Sequence, residues 1–320
     1  MIKTKLTELL GIEHPIVGGT MMWISDAEFV AATSEAGGLG VLASAIYQSR
    51  EEFRDELQKL KSLTSKPFAV NLNMFPSMRP IDNNDYIEVL LEEGVKIVET
   101  SGHKAPDEYL PRLKEGGCTC IHKCVGVKYA KKVEALGVDV VTVVGYENGG
   151  ASGNLGLGTM VLAPAVVDAV DIPVIAGGGV ADGRGMAALL ALGASGVIIG
   201  TRLLMTDECP LHPDLKQALL SARETDTRLI MQSLNSTHRV WDNEAARKTA
   251  ELEQKGGQLN ELLKYIGGEK AREMFKEGKL DAGTIATGQC VGLVHEILPI
   301  KELFSKMTAE AEKIVPGFSA

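Results

Sequence analysis

Short apolar runs rich in valine and isoleucine alternate along this chain with longer amphipathic stretches. Eight such runs stand out: HPIVGG (14–19), GLGVLA (38–43), FAVNLN (68–73), VKIVET (95–100), TCIHKC (119–124), DVVTVVGY (139–146), IPVIAGGG (172–179) and GVIIGT (196–201). Runs that are apolar almost throughout suit parallel strands buried on both faces, where no polar alternation is required. The stretches between them include DAEFVAATSEAG, REEFRDELQKLKSL, DYIEVLLEEG, KYAKKVEALG and DGRGMAALLALG. They carry apolar residues at helical spacing, and many end in glycine just past the last periodic position, a helix stop. Eight strand-then-helix units at spacings of roughly 20–35 residues predict an α/β fold, the TIM (β/α)8 barrel. An open doubly wound sheet would use fewer units or reverse its strand order, so the count favours closure.

The alternation stops after GVIIGTRLLM. Residues 206–283 are charged and helix-rich, in HPDLKQALLSARE, NEAARKTAELEQKGG and NELLKYIGGEKAREMFKEG, and show no convincing strand. We read 206–283 as a helical insertion subdomain after the eighth strand, with 1–205 and 284–320 forming the barrel and GLVHEILPIKELFSKMTAEAEKI its last helix. An insert there would overhang the barrel mouth and shape a substrate pocket; packing or self-association would use the same kind of sequence.

Composition narrows the function. The chain has 320 residues, 45% hydrophobic and 23% charged, enough for one large core. Its net charge of −9 argues against nucleic acid, which needs clustered Lys and Arg. Lys128, Lys131 and Lys132 read as a solvated helix face. Uninterrupted apolar stretches fall short of the ~18 residues of a membrane span, and the N-terminus lacks a signal-peptide core, so a cytoplasmic location is expected. The partner is then a small-molecule substrate, and the sequence leaves the oligomeric state open, a homodimer included. Five cysteines without a CxxC pair argue against a disulfide framework or metal site; Cys118, Cys120 and Cys124 read as small buried residues in and beside a strand. The histidines form no HExxH or HxxxH pair and there is no GxSxG elbow, so neither zinc nor serine-hydrolase chemistry is indicated.

In a barrel of this kind chemistry sits on the loops after the strands. The first run ends in Gly18–Gly19–Thr20–Met21–Met22–Trp23, where glycine lets backbone approach a flat ligand and Met and Trp add apolar contact. The third ends in Asn71 and Asn73, on one face by period two; a heteroaromatic edge would satisfy a buried Asn71. The seventh ends in Gly177–Gly178–Gly179 and the eighth in Gly200–Thr201. Barrels bind phosphate between these two loops, on main-chain amides that side chains would obstruct. Two tight turns of unusual φ would call for the same glycines. Lys123, if inward, supplies a positive charge near a ligand and sends His122 outward. The sixth loop, Gly145 to Gly153, is long, polar and Gly-rich; GNLGLG after it lacks the dinucleotide spacing. His103 follows the fourth run and is either a catalyst or a loop residue. His238, in SLNSTHRVWDNE, is read as structural.

At this point a resemblance enters. HPI…GG.M.W…AE, AGGLGVLAS, KPFAVNLN, KIVETSG, IHKC, GYENGG, PVIAGGGVADGRGMAALLALGA, GVIIGTR, ECPLHP, DTRLIMQSLNSTHRVWDNEA and ATGQCVGLVHE resemble, nearly end to end, the nitronate monooxygenase family of FMN barrels. That family includes enoyl-ACP reductase II and a bacterial NADH:quinone reductase. The pattern looks closest to the quinone-reductase branch, with a proline-bearing loop after the third strand (Pro76, Pro80). The resemblance implies that Gly19, Thr20 and Met21 lie along the flavin, that Asn71, Lys123 and Gly150 contact it, that Gly178, Gly179, Gly200 and Thr201 hold its phosphate, and that Gly288–Gln289 close over the ring. One position departs. The family's glycine pair is followed by histidine, a base or substrate-positioning group; here Gly149–Gly150 is followed by Ala151, which neither holds a proton nor donates a hydrogen bond. Ser152, His103 and Glu147 are the nearby candidates to compensate.

The expected function is therefore an FMN-dependent oxidoreductase, driven by NADH or NADPH and reducing a quinone or activated alkene, chemistry that needs no obligatory histidine at the flavin. Nitronate oxidation with oxygen is the alternative, and a non-catalytic flavin-binding protein the second. No Rossmann unit exists, so the nicotinamide nucleotide would lie in the open mouth, against Pro76–Pro80 or the insert.

Overall fold

The computed structural model describes residues 2–75 and 82–315. Pro76 and Pro80 lie outside the described residues. The strands are β1 (Ile16–Gly18), β2 (Gly40–Ala43), β3 (Phe68–Asn73), β4 (Ile97–Ser101), β5 (Thr119–Cys124), β6 (Val140–Val144), β7 (Gly150–Ala151), β8 (Val174–Gly177), β9 (Gly196–Ile199), β10 (Thr227–Ile230) and β11 (His238–Trp241). The helices are α1 (Lys5–Leu10), α2 (Ala27–Glu35), α3 (Arg50–Leu63), α4 (Asn83–Glu92), α5 (Leu110–Glu115), α6 (Val127–Leu136), α7 (Thr159–Val167), α8 (Gly183–Ala191), α9 (Thr201–Leu204), α10 (Pro213–Leu220), α11 (Glu244–Gln254), α12 (Leu259–Ile266), α13 (Gly268–Glu277) and α14 (Ile300–Ile314).

Each expected apolar run contains a strand, and these eight form one parallel sheet in the order β1-β9-β8-β6-β5-β4-β3-β2. The ring closes where Gly18 N donates to Leu39 O and Leu39 N to Ile16 O, both at 2.9 Å. Alternate residues of each strand pack inward. Val17, Val41, Ala69, Ile97, Ile121, Val140, Ile175 and Ile198 fill the lumen. The residues between them, such as Val70, Leu72, Val98, Val141 and Val143, pack against the surrounding helices. That is why the runs are apolar on both faces.

The lumen is plugged from below by α1, whose Leu6 and Leu10 join the inner cluster. This helix did not figure among the expected elements, because the N-terminus was read only for targeting signals. Its start is nonetheless encoded: Thr4 and Thr7 form a reciprocal cap, and Thr4 Oγ1 donates to Ser195 O at 2.6 Å just below β9.

Two further expectations need correction. The segment 206–283 holds α10 to α13, but also β10 and β11, which pair antiparallel and recruit β7 from the loop after β6. β10 and β11 are each four residues long and carry an arginine that makes a specific polar contact, Arg228 to Asp242 and Arg239 to Tyr146 O. Such strands leave no apolar run to read. The last helix begins at Ile300, after Pro299, rather than near Gly292: the residue before a proline is pushed out of helical conformation. Residues Gln289–Leu293 form a short 3-10 turn instead.

The cysteines are buried within this packing, and burial pushes the Cys120 and Cys124 thiols up to about 12. Among the described residues no helix is long and apolar enough to cross a membrane.

His122 faces outward as period two requires, with Nδ1 at 2.7 Å from Thr100 Oγ1. Burial pushes its pKa from 6.5 down to about 4. The unfolded chain therefore binds more protons between pH 6.5 and pH 4, so stability present above 6.5 is lost as the pH falls to about 4. Urea unfolding of the protein should show a loss on the order of 3 kcal/mol across that window, and the loss should be missing from His122→Gln.

Candidate active site

Above the apolar layer, the inward positions two residues further along the strands change character. They are Gly19, Ala43, Asn71, Glu99, Lys123, Thr142, Gly177 and Gly200, small or polar where the layer below is branched and apolar. Gly19, Ala43, Asn71, Lys123 and Gly200 of this layer floor a cavity of about 1790 Å3 at the C-terminal end of the strands.

Glu99 organises the floor. It is 1% exposed, and its Oε2 accepts from Asn71 Nδ2 at 2.7 Å and Thr20 Oγ1 at 2.8 Å. The same oxygen forms an ion pair with Lys123 Nζ at 3.1 Å. Three residues singled out separately from the sequence are thus tied to one carboxylate that sequence reasoning passed over. The signal was available: Glu99 stands at the inward position of VKIVET.

The glycine turns open on the same cavity. Gly178 and Gly179 have φ of +96° and +83°, which β-carbon-bearing residues rarely adopt. A Cβ on Gly178 would also strike Thr159 Oγ1 at 2.7 Å. Gly179 and Gly200 differ. A Cβ there would meet nothing nearer than Glu147 Cβ at 3.8 Å and Met21 Sδ at 3.9 Å. At Gly179 the positive φ already calls for glycine; at Gly200, whose φ is −123°, neither packing nor backbone does, and a ligand brought close to the main chain would.

Most of the residues singled out from the sequence converge here. Gly19, Thr20, Met21, Asn71, His103, Lys123, Gly150, Ala151, Gly178, Gly179, Gly200 and Thr201 all line the cavity. Gly288 and Gln289, expected to close over the ring, are not among the lining residues. Gly288 N donates to Thr201 Oγ1 at 2.8 Å, a Cβ on it would meet Gly149 N at 2.9 Å, and Gln289 N donates to Glu147 O at 3.0 Å. They fasten the loop after β6 from behind, and Thr284, Ile285, Ala286 and Cys290 reach the cavity in their place.

The candidates to compensate for Ala151 also separate. Glu147 is engaged by Thr159, whose amide and hydroxyl donate to it at 2.9–3.1 Å. Ser152 lies outside the lining, its hydroxyl buried without a partner. His103 is in the cavity, exposed, its ring edge-on to Phe75 with centroids 4.8 Å apart. His238, expected to be merely structural, lines the cavity too.

The insert supplies the roof. Leu259, Leu263 and Ile266 of α12 and Phe275 of α13 face the cavity. Arg272 of α13 lies over the Trp23 ring, 5.2 Å from its centroid, joining the roof to the loop after β1.

The family profile described as Nitronate monooxygenase matches residues 3–310. A Rhodococcus jostii protein named (3aS,4S,5R,7aS)-5-hydroxy-7a-methyl-1-oxo-octahydro-1H-indene-4-carboxyl-CoA dehydrogenase is 35% identical, over 100% of this chain and 98% of its own length. The structure of FabK from Thermotoga maritima superposes with a TM-score of 0.90 at 36% identity, covering 99% of this chain and 98% of that one. A nitroalkane oxidase from Streptomyces ansochromogenes gives 0.83 at 27% identity, covering 96% and 98%.

If Glu99 and Lys123 act as one unit, a double-mutant cycle will show it. Glu99→Gln and Lys123→Met should each destabilise the protein, by about 1.5–3 kcal/mol for a bond to a charged group. The double variant should cost less than the sum by ~1 kcal/mol or more in urea unfolding; strict additivity would refute the coupling.

Proposed function

The chain belongs to the nitronate monooxygenase family of oxidoreductases, and from that premise we propose that it is an FMN-dependent enzyme using NADH or NADPH to reduce an activated alkene or quinone. The observation that carries this reading is the pair of glycine turns, at Gly178–Gly179 and Gly200, opening into the cavity that Asn71 and Lys123 floor.

The residues fit FMN. Main-chain amides at Gly178, Gly179, Gly200 and Thr201 suit its phosphate, since Gly179 and Gly200 leave open the space a Cβ would fill. Asn71 and Lys123, held by Glu99, suit the polar edge of its ring. FMN, when bound, supplies two-electron chemistry, exchanging hydride with one substrate and then another. The protein's part is placement and field. Lys123 would offer its ammonium to the polar edge of the bound ring, and its ion pair with Glu99 fixes where that ammonium stands. Met21 and Trp23 add apolar contact beside the ring.

Cavity size favours a bulky substrate. Single-ligand pockets run to ~300–1,000 Å3, and about 1790 Å3 accommodates the cofactor with a second molecule against it. The roof residues Leu259, Leu263, Ile266 and Phe275 suit an apolar body and exclude water from it. The Rhodococcus jostii relative, matched over its whole length, is named for a fused-ring carboxyl-CoA compound, which supports an acyl thioester or enone here. Nitronate oxidation is the second reading, favoured by the family and by the likeness to a nitroalkane oxidase.

The purified chain should be yellow and hold one FMN. Gly200→Val, which fills the open space at that turn, should weaken FMN binding by 10²-fold or more in a fluorescence titration, with the fold intact by circular dichroism. Under anaerobic mixing NADH or NADPH should bleach the flavin. Bleaching by propyl nitronate but by neither nucleotide would replace the first reading with the second.

A further inference from the structure

Resting on that redox reading, we propose that His238, carried into the cavity by the insert, is the side chain that exchanges a proton with the substrate. The argument starts from strand register. β11 pairs antiparallel with β7, and His238 stands directly opposite Ala151. Directly opposed residues project from the same face of a sheet, with Cβ atoms about 4.5–5.5 Å apart. Both line the cavity. The methyl of Ala151 thus leaves free the volume on that face which a larger neighbour would contest with the imidazole.

The ring is held and its tautomer follows. His238 Nδ1 lies 2.7 Å from Ser236 O. A carbonyl oxygen only accepts, so Nδ1 carries the hydrogen, and Nε2 of the neutral ring carries the lone pair. The strand beneath it is pinned to the loop after β6. Arg239 donates to Tyr146 O at 3.1 and 3.2 Å, Ser152 N donates to Thr237 O at 3.1 Å, and Thr237 Oγ1 to Asn154 Oδ1 at 2.8 Å. A basic nitrogen is therefore fixed over the mouth by the same loop that contributes Gly150 and Ala151 to the lining.

Burial lowers the pKa of His238, the Ser236 carbonyl opposes that, and the charge of a protonated His103 lowers it further. The strands beside it, β7 and β10, offer Ala151 and Ile230, neither titratable. Across the cavity the ionisable groups include His103, Lys104 and Asp107 after β4, His122 and Lys123 on β5, Lys128, Tyr129 and Lys132 on α6, and Glu269 on α13. The imidazole is thus neutral at pH 7 and able to accept. In the oxidative direction a substrate carbon pair gives up a proton to Nε2 and a hydride to the bound cofactor, and the electrons of the broken C–H bond at the deprotonated carbon become the C=C bond. In the reductive direction Nε2 first takes a proton from solvent, hydride then adds at one carbon, and the C=C pair takes that proton at the other, which returns the ring to its neutral form. NADH or NADPH is the ultimate reductant.

The test uses the full FMN-loaded chain. His238→Gln keeps a polar side chain and cannot carry a proton in this range. Turnover of an enone or enoyl thioester should fall on the order of 10²-fold in kcat with little change in KM, and the imidazole limb of the pH profile should vanish. Bleaching by the nicotinamide should fall far less. Ala151→His combined with His238→Gln should recover part of the lost turnover, because it restores an imidazole on the same face. Independently of activity, ¹⁵N resonances of the histidine ring should show a protonated Nδ1 and a bare Nε2 that responds to added enone, with a midpoint that rises in His103→Gln. Unchanged turnover in a folded, FMN-loaded His238→Gln, or a ring protonated at Nε2, overturns the proposal. If no nicotinamide bleaches the flavin, the redox reading fails, and the ring resonances still decide the role of His238 by its response to propyl nitronate.

Discussion

Closing eight parallel strands into a ring forces the inward residues into layers, and what each layer contains decides what the barrel can do. The lower layer is branched and apolar and is plugged by Leu6 and Leu10 of α1, so no ligand enters from below. The layer above it holds Gly19, Asn71, Glu99, Lys123 and Gly200. A charge buried among apolar side chains is costly unless paired. Glu99 meets that condition by accepting from Asn71 and Thr20 and pairing with Lys123. Its partners in turn lose most of their freedom to rearrange. The floor of the cavity is rigid before any ligand arrives, and rigid polar groups are what orient a cofactor at low entropic cost.

The wall is built on a different principle. Gly178 lacks a side chain because Thr159 and Gly145 leave no room and its φ is positive, whereas Gly179 and Gly200 face open space. Gly179 shares the positive φ, so the first two are demands of the backbone and Gly200 alone is a demand of the site. Gly149 and Gly288 belong with the first: their main chains touch, which locks the segment after the insert to the loop after β6. A glycine-rich sequence therefore conceals two populations with opposite meanings, and only φ and the surroundings of a virtual Cβ together separate them.

This is also where reading the sequence met its limit. The eight strands and the inward direction of Asn71 and Lys123 were legible because both depend on local periodicity. The same period applied to the fourth run would have exposed Glu99. His238 was not legible in that way. Its place is set by pairing β11 with β7, far away in sequence, and the four residues of β11, His238 to Trp241, show no alternation of polar and apolar positions. Gly288 and Gln289 were assigned by resemblance without a geometric argument, and they are the pair whose neighbours turned out different. Local patterns reveal what a strand presents; which two distant segments share a sheet depends on tertiary contacts that no window of sequence contains.

The three-stranded sheet has a consequence for how the site works as a unit. β7 belongs to a barrel loop and β10 and β11 to the insert, so the sheet spans the boundary between them. Arg239 reinforces the join: its guanidinium lies 4.6 Å from the centre of the Tyr146 ring while it donates to the Tyr146 carbonyl. Moving the insert as a rigid lid would break these bonds along with the ladder at Gly150 and Ala151. The α12–α13 side of the roof is anchored in the core as well: Met274 and Phe275 pack into it, His212 N donates to Phe275 O at 2.8 Å, and the stacking of Arg272 on Trp23 adds ~0.5–2 kcal/mol. The insert is therefore tied to the barrel on both sides, and His238 keeps its station because the strand that carries it cannot shift without breaking the ladder to β7.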